Sequence, residues 1–229
     1  RGRPDSRQPP PAPAAHAPAN GDGRKPLGRP PRQLSDIRRA VSIAVAGFKG
    51  GSSKTQTSVL LAQYLARAAH RVLLIDIDPQ SSAGTIHGVD PTVVDDWNPT
   101  LPILYGPELV KEWSGAEIPP FRESIQPTYW AGLDIVHANL SLYSGEFALS
   151  IRRHSDPSFK FHMPLAEAIE QVRADYDVII FDTPPALSLT TSAALYAADA
   201  LIMPLPAEML DFASGKSFIQ LTKEILSAI

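Results

Sequence analysis

Polar side chains almost vanish from four short stretches of the chain, residues 41–46, 72–77, 178–181 and 200–203, apart from Ser42 and Asp76. Each is rich in β-branched residues and too short for a helix, so each reads as a strand buried on both faces. Residues 133–136 repeat the pattern more briefly. Between these runs the apolar positions recur at helical spacing. Leu60, Leu61, Tyr64 and Leu65 mark one helix, with Arg67 toward its far end. Residues 140–151, 165–172, 188–198 and 214–229 mark four more. Strands alternating with helices predict an α/β fold with a doubly wound, mostly parallel sheet.

Two regions depart from this rhythm. Residues 88–130 carry Pro91, Pro99, Pro102, Pro107, Pro119, Pro120 and Pro127, and Trp97, Trp113 and Trp130 fall there without period. Short helices near residues 108–113 and 121–125 fit, and the region as a whole is expected to be a surface excursion without chemistry. Residues 1–38 hold nine of the 23 prolines and few large apolar side chains. Such a segment cannot bury enough surface to offset its ordering entropy, so it is expected to be a disordered, basic, Pro-rich arm. The folded domain is then expected over residues 39–229.

Charge sharpens that division. Residues 1–40 contain nine Lys/Arg and three Asp, a surplus of six, while the whole chain is −3, so the remainder carries −9. Nucleic-acid affinity in the folded part would therefore need a local patch rather than bulk charge. In the arm, Arg1-Gly2-Arg3-Pro4 and Gly28-Arg29-Pro30 resemble AT-hook cores, though a basic linker accounts for them as well. The absence of cysteine excludes disulfides and cysteine-held iron–sulfur clusters. The six histidines lack metal-ligand spacing. No apolar run approaches the roughly 20 residues of a membrane span. The chain starts at Arg1 and stops inside a helix-like run, as a piece of a longer protein would.

The chemistry concentrates where the first strand meets the first helix, at Phe48-Lys49-Gly50-Gly51-Ser52-Ser53-Lys54-Thr55. A strand, a glycine-rich turn ending in Lys-Thr and a helix provide what a phosphate-binding loop needs. Glycines let backbone N–H groups turn toward an anion, and the helix N-terminus adds partial positive charge. Lys54 is placed to reach the terminal phosphates and the Thr55 hydroxyl to bind Mg²⁺. Strict P-loop spacing would put glycine at 48 and 53, where this chain has Phe48 and Ser53. If position 53 requires φ > 0, its serine costs on the order of 1–3 kcal/mol, roughly tenfold to hundredfold in affinity.

Two later strands end in acids, at Asp76-Ile77-Asp78-Pro79-Gln80 and at Phe181-Asp182-Thr183-Pro184-Pro185. Parallel strands deliver their C-terminal ends to one edge, which brings Asp76, Asp78 and Asp182 toward the loop. An apolar strand closing on Asp is also the form of a Walker B element.

These runs, with His137-Ala138-Asn139-Leu140 and Pro206-Ala207-Glu208-Met209-Leu210-Asp211, resemble the ParA-type partition ATPases over about residues 41–229. Lys49-Gly50-Gly51 followed by Lys54-Thr55 is similar to that family's deviant Walker A signature. Phe48-Lys49-Gly50-Gly51-Ser52, Leu61-Ala62-Gln63-Tyr64-Leu65 and Gln126-Pro127-Thr128-Tyr129 resemble the plasmid RepA partition proteins of replication-partition operons. The resemblance implies a P-loop NTPase fold and an ATP-dependent, cytoplasmic, nucleoid-associated homodimer. It implies non-specific DNA binding, and Mg²⁺-dependent hydrolysis stimulated by a ParB/RepB-like centromere-binding protein. By position, Lys49 would act across the dimer and Lys54 on phosphate. Thr55, Asp76 and Asp182 would serve the metal, and Asp78 would position the attacking water. Residues 49–56, ending at Gln56 where the family has a second threonine, would line ATP.

Two readings stay open on the residues: a working partition ATPase, and a degenerate ParA-like binding or regulatory module in which Ser53 has weakened or abolished nucleotide binding. A MinD-like membrane ATPase would need a C-terminal amphipathic helix, and the missing cysteines reject an iron-protein reductase.

Overall fold

The computed structural model describes residues 39–48, 51–89, 99–115, 117–205 and 209–227. The expected arm, residues 1–38, lies outside them, as do Lys49, Gly50, Trp97 and residues 206–208. In chain order the elements are β1 (Val41–Val45), α1 (Lys54–Arg67), β2 (Val72–Asp76), α2 (Ser82–Ile86), α3 (Leu101–Tyr105) and α4 (Pro107–Ser114). A 3₁₀ turn (Phe121–Ser124), β3 (Gln126–Pro127), β4 (Leu133–Val136), α5 (Ser141–Ser155) and α6 (Met163–Glu170) follow. The described chain closes with β5 (Val178–Asp182), α7 (Leu189–Ala197), β6 (Ala200–Ile202) and α8 (Met209–Ser227).

The sheet runs β3-β4-β2-β5-β1-β6. Every pairing is parallel except the two-residue β3 against β4. The fold is therefore the α/β, doubly wound, mostly parallel sheet of P-loop NTPases. Strand side chains alternate between two cores, which explains why the central strands are apolar without interruption. Leu73, Ile75, Ile179 and Phe181 enter one core with residues of α3, α5, α6 and α7. Val72, Leu74, Val178 and Ile180 enter the other, against Val59, Ala62 and Ala66 of α1.

Two expectations are corrected. Residues 200–203 do not form a buried strand: among the described residues β6 lies at the sheet's edge, pairs only with β1, and exposes Ala200 and Leu201. Its apolarity matches a buried strand because one edge partner and one covered face suffice to retain it. Nor is the stretch 88–130 wholly a surface excursion. All five residues of α3 are buried, and Leu104 and Tyr105 reach the larger core. Pro102, which broke the sequence pattern, sits in the first turn, where its missing N–H costs no helical bond.

The opposite end of the sheet from the strand termini is tied by one buried cation. Arg173 donates to the Ala40 carbonyl at 2.7 Å, to Asp199 Oδ2 at 3.0 Å and to Ser42 Oγ at 3.2 Å. Its Nε lies 2.7 Å from Glu170 Oε1. Asp199 in turn accepts from the backbone N–H and hydroxyl of Ser42, at 2.9 and 2.8 Å. The group links the start of β1, α6 and the turn into β6. Arg173→Met keeps the packing volume but strands these acceptors. It is expected to lower unfolding free energy by about 2 kcal/mol in urea denaturation; a change within about 0.5 kcal/mol would show the cluster to be ornamental.

Candidate functional site: the phosphate loop and the carboxylate edge

The turn leaving β1 is anchored before it opens. Phe48, where strict P-loop spacing has glycine, packs edge-to-face on Phe218 of α8 with centroids 5.0 Å apart. It is a core contact at the loop's entrance. Gly51 adopts φ 73°, and Ser53, the residue preceding α1, adopts φ 61°, ψ 26°. Position 53 therefore does require the left-handed region that disfavours a Cβ, and the serine side chain makes no capping bond that would offset it. The Ser53 carbonyl accepts the first helical bond, from Thr57 N–H at 2.8 Å.

Lys54 opens α1 and is buried, with Nζ 3.5 Å from the hydroxyl of the buried Ser52. Burial lowers its ammonium pKa, opposed by the charges of Asp182 and Asp78. Thr55 is half-buried and Gln56 points to solvent. One turn further on, Ser58 Oγ donates to Asp182 Oδ1 at 2.9 Å. In the sequence Ser58 reads as part of the polar face of an amphipathic helix. Its one available signal was its place one turn after Lys54, on the side facing the sheet.

Asp182 ends β5, which lies between β1 and β2, and it is the register partner of both Val45 and Asp76. Sheet order thus places the two acids side by side at the edge where the loop begins. Both are fully buried. Asp76 accepts N–H bonds from Asp78 at 3.0 Å and Gly84 at 3.1 Å. Burial, with the Asp182 charge added, still drives its pKa well above the usual carboxylate range. Burial likewise raises Asp182, against the hydrogen-bonding pull of Thr55 and Ser58. Its Oδ2 is sealed from solvent with no hydrogen-bonding partner among the described residues. Asp78 is half-buried, accepts from Gln80 N–H at 3.0 Å, and acts electrostatically on Lys54, Asp76 and Asp182. The Gln80 side chain donates to Tyr143 OH at 2.9 Å, which ties this turn to α5.

The structure therefore gathers Lys54, Thr55, Asp76, Asp78 and Asp182 at one edge and adds Ser58 and the Gly84 N–H. Gln56 faces away, and Lys49 and Gly50 lie outside the described residues. Among the described residues no three His, Cys, Asp or Glu side chains could hold a metal by themselves.

The sequence profile of a family described as an AAA domain matches residues 40–228. SopA of Escherichia coli strain K12 is 38% identical over 204 residues, which cover 86% of this chain and 49% of SopA. A Sinorhizobium fredii protein assigned as a replication protein A is 37% identical over 192 residues, covering 82% and 44%. The chromosome partitioning protein ParA of Myxococcus xanthus is 34% identical over 186 residues, covering 81% and 58%. The chain spans about half the length of these relatives. Among solved structures, cobyrinic acid a,c-diamide synthase from Mycobacterium smegmatis, with bound ADP and magnesium, superposes with a TM-score of 0.67. It is 28% identical and covers 82% of this chain and 69% of that one.

The buried acid pair has a measurable consequence for the metal-free chain. An acid whose folded pKa is raised binds its proton more tightly folded than unfolded. Its contribution is most favourable below the unfolded value of about 4 and is lost as pH rises through the folded value. Asp76→Asn removes one charge and keeps only one of the two acceptor oxygens, so one of the Asp78 and Gly84 N–H groups loses its partner at every pH. In chelator-treated protein the stability of the variant relative to the parent is therefore expected to be higher at neutral pH than near pH 4, by about 1–3 kcal/mol in urea denaturation. A difference between variant and parent that does not change with pH would show that the pair is not in electrostatic conflict.

Proposed function

Because the chain belongs to the ParA-type partition ATPases, and resembles their plasmid RepA members, we propose that it is a Mg²⁺-dependent ATPase acting in DNA segregation. The observation that carries this reading is the buried Asp182 Oδ2, without a hydrogen-bonding partner among the described residues, beside Asp76 at the edge where the loop presents Lys54 and Thr55. Two adjacent buried carboxylates with only the Lys54 ammonium to answer them are costly unless a further cation joins them. Their hard oxygens and the Thr55 hydroxyl suit Mg²⁺, which keeps waters and shares its coordination with nucleotide phosphates, so no all-protein cage is needed.

Thr55 and Asp182 would hold the ion, Asp182 through water, with Asp76 supporting that shell. Bound there, Mg²⁺ would neutralise charge building on the phosphates. The remaining work belongs to this chain's residues. Lys54 brings a positive charge to the terminal phosphates, and its partly desolvated ammonium acts more strongly than one in water. The N–H groups around Gly51 and the start of α1 orient the phosphate chain. Asp78, half-exposed at the rim, is placed to orient the attacking water for in-line displacement. Ser58 holds Asp182 in position through its 2.9 Å bond.

In this reading ATP favours a homodimer in which Lys49 acts on the partner's nucleotide. The exposed apolar stripe Leu140, Tyr143, Phe147 and Ile151 along α5 supports it, since it begins beside Gln80 at the site's rim. The dimer binds DNA without sequence preference in the cytoplasm, at the nucleoid, until a ParB/RepB-like centromere-binding protein stimulates hydrolysis. No described helix is long and apolar enough to cross a membrane. A degenerate, nucleotide-free module is the second reading, favoured only by the left-handed Ser53.

Equilibrium binding of a fluorescent ATP analogue with Mg²⁺ separates the two. The parent is expected to bind in the micromolar range, Lys54→Ala to lose binding, and Ser53→Gly to bind about tenfold tighter. A parent that fails to bind, rescued by Ser53→Gly, would replace the ATPase with the nucleotide-free module.

A further inference from the structure

The C-terminal end of α5 and the loop after it carry a cationic corner. Between Glu146 and Glu167 the chain has Arg152, Arg153 and Lys160 but one acid, Asp156, within a folded part that is otherwise net negative. Asp156 is already engaged, by Ser158 N–H and hydroxyl and by Arg152 at 3.7 Å. Among the described residues neither Arg153 nor Lys160 forms an ion pair. Both are exposed.

The Arg153 side chain is held against the residue that follows Lys160. The Arg153 guanidinium lies 4.6 Å from the centre of the Phe161 ring, which fixes its direction. Phe161 packs edge-on against His162, whose ring lies tilted against that of the exposed Tyr196 with centroids 4.4 Å apart. Arg153 and Lys160 both act electrostatically on His162, whose buried Nδ1 has no hydrogen-bonding partner among the described residues. Basic residues in a helix's last turn commonly answer its dipole, and that accounts for Arg152 and Arg153. It does not account for Lys160, which lies beyond the helix and adds like charge to the same corner.

We propose that Arg153 and Lys160, backed by Phe161, His162 and Tyr196, form a contact surface for the phosphate backbone of duplex DNA. The proposal rests on the DNA-segregation reading and gives that reading a surface. An arginine stacked on an aromatic ring and an unpaired lysine bind phosphates without reading bases, which suits non-specific association. The corner is also remote from the nucleotide. Helix α5 starts just after β4 at the carboxylate edge and runs 15 residues, about 22 Å, so DNA here leaves the loop accessible.

The test is anisotropy of a labelled mixed-sequence duplex with the full chain, ATP and Mg²⁺, over a range of KCl concentrations. The double substitution Arg153→Glu, Lys160→Glu is expected to weaken binding about tenfold or more. It should also flatten the log–log salt slope by about two phosphate contacts, with ATP-analogue affinity unchanged. If the double variant loses the nucleotide as well, Lys160→Gln, outside the helix, decides the matter with a slope change of about one. A parent that binds DNA while the variants match its affinity and slope would overturn this surface and leave the segregation reading standing. A parent with no DNA affinity would overturn both.

Discussion

Two carboxylates that share a buried edge and a single nearby ammonium set the terms for the rest of this molecule. Asp76 and Asp182 are register partners on adjacent parallel strands, and water does not reach either one. Taken alone, such a pair destabilises the fold, because each buried charge raises the cost of the other. The surroundings reduce that cost without removing it. Gly84 and Asp78 N–H groups serve Asp76, Ser58 serves Asp182, and Lys54 supplies positive charge from the start of α1. What is left over is the conflict that a divalent cation would resolve.

That arrangement explains why the elements around it are so rigidly apolar. β5 must lie between β1 and β2 for Asp182 to face both the loop and Asp76, and a central strand needs both faces covered. The two cores do this from opposite sides. The Arg173 cluster closes the other end of the same strands, so β1 is held at its start by a buried cation and released at its end into the loop.

The loop itself combines a secure entrance with a strained exit. Phe48 replaces a small residue with a ring that docks on α8, whereas Ser53 holds a backbone conformation better suited to glycine. Strain at such a point survives only when neighbouring structure over-determines it. Here the buried Lys54 side chain and the first turns of α1 against Asp182 do so.

The periodicity of the chain by itself determined the alternation of strands and helices, and hence the parallel sheet. The runs ending in Asp76 and Asp182, with Lys54 and Thr55 after the first strand, made the candidate site legible, because parallel strands share one edge whatever their order. The strand order was a tertiary matter, since no local pattern says that β5 lies between β1 and β2. Nor could apolarity distinguish the edge strand β6 from a central one, or show that α3, beside its prolines, is buried. Ser58, the Gly84 N–H and the corner at Arg153 and Lys160 were likewise decided by the fold. A polar residue's role depends on which distant group it meets, and that meeting is set by packing rather than by its neighbours in sequence.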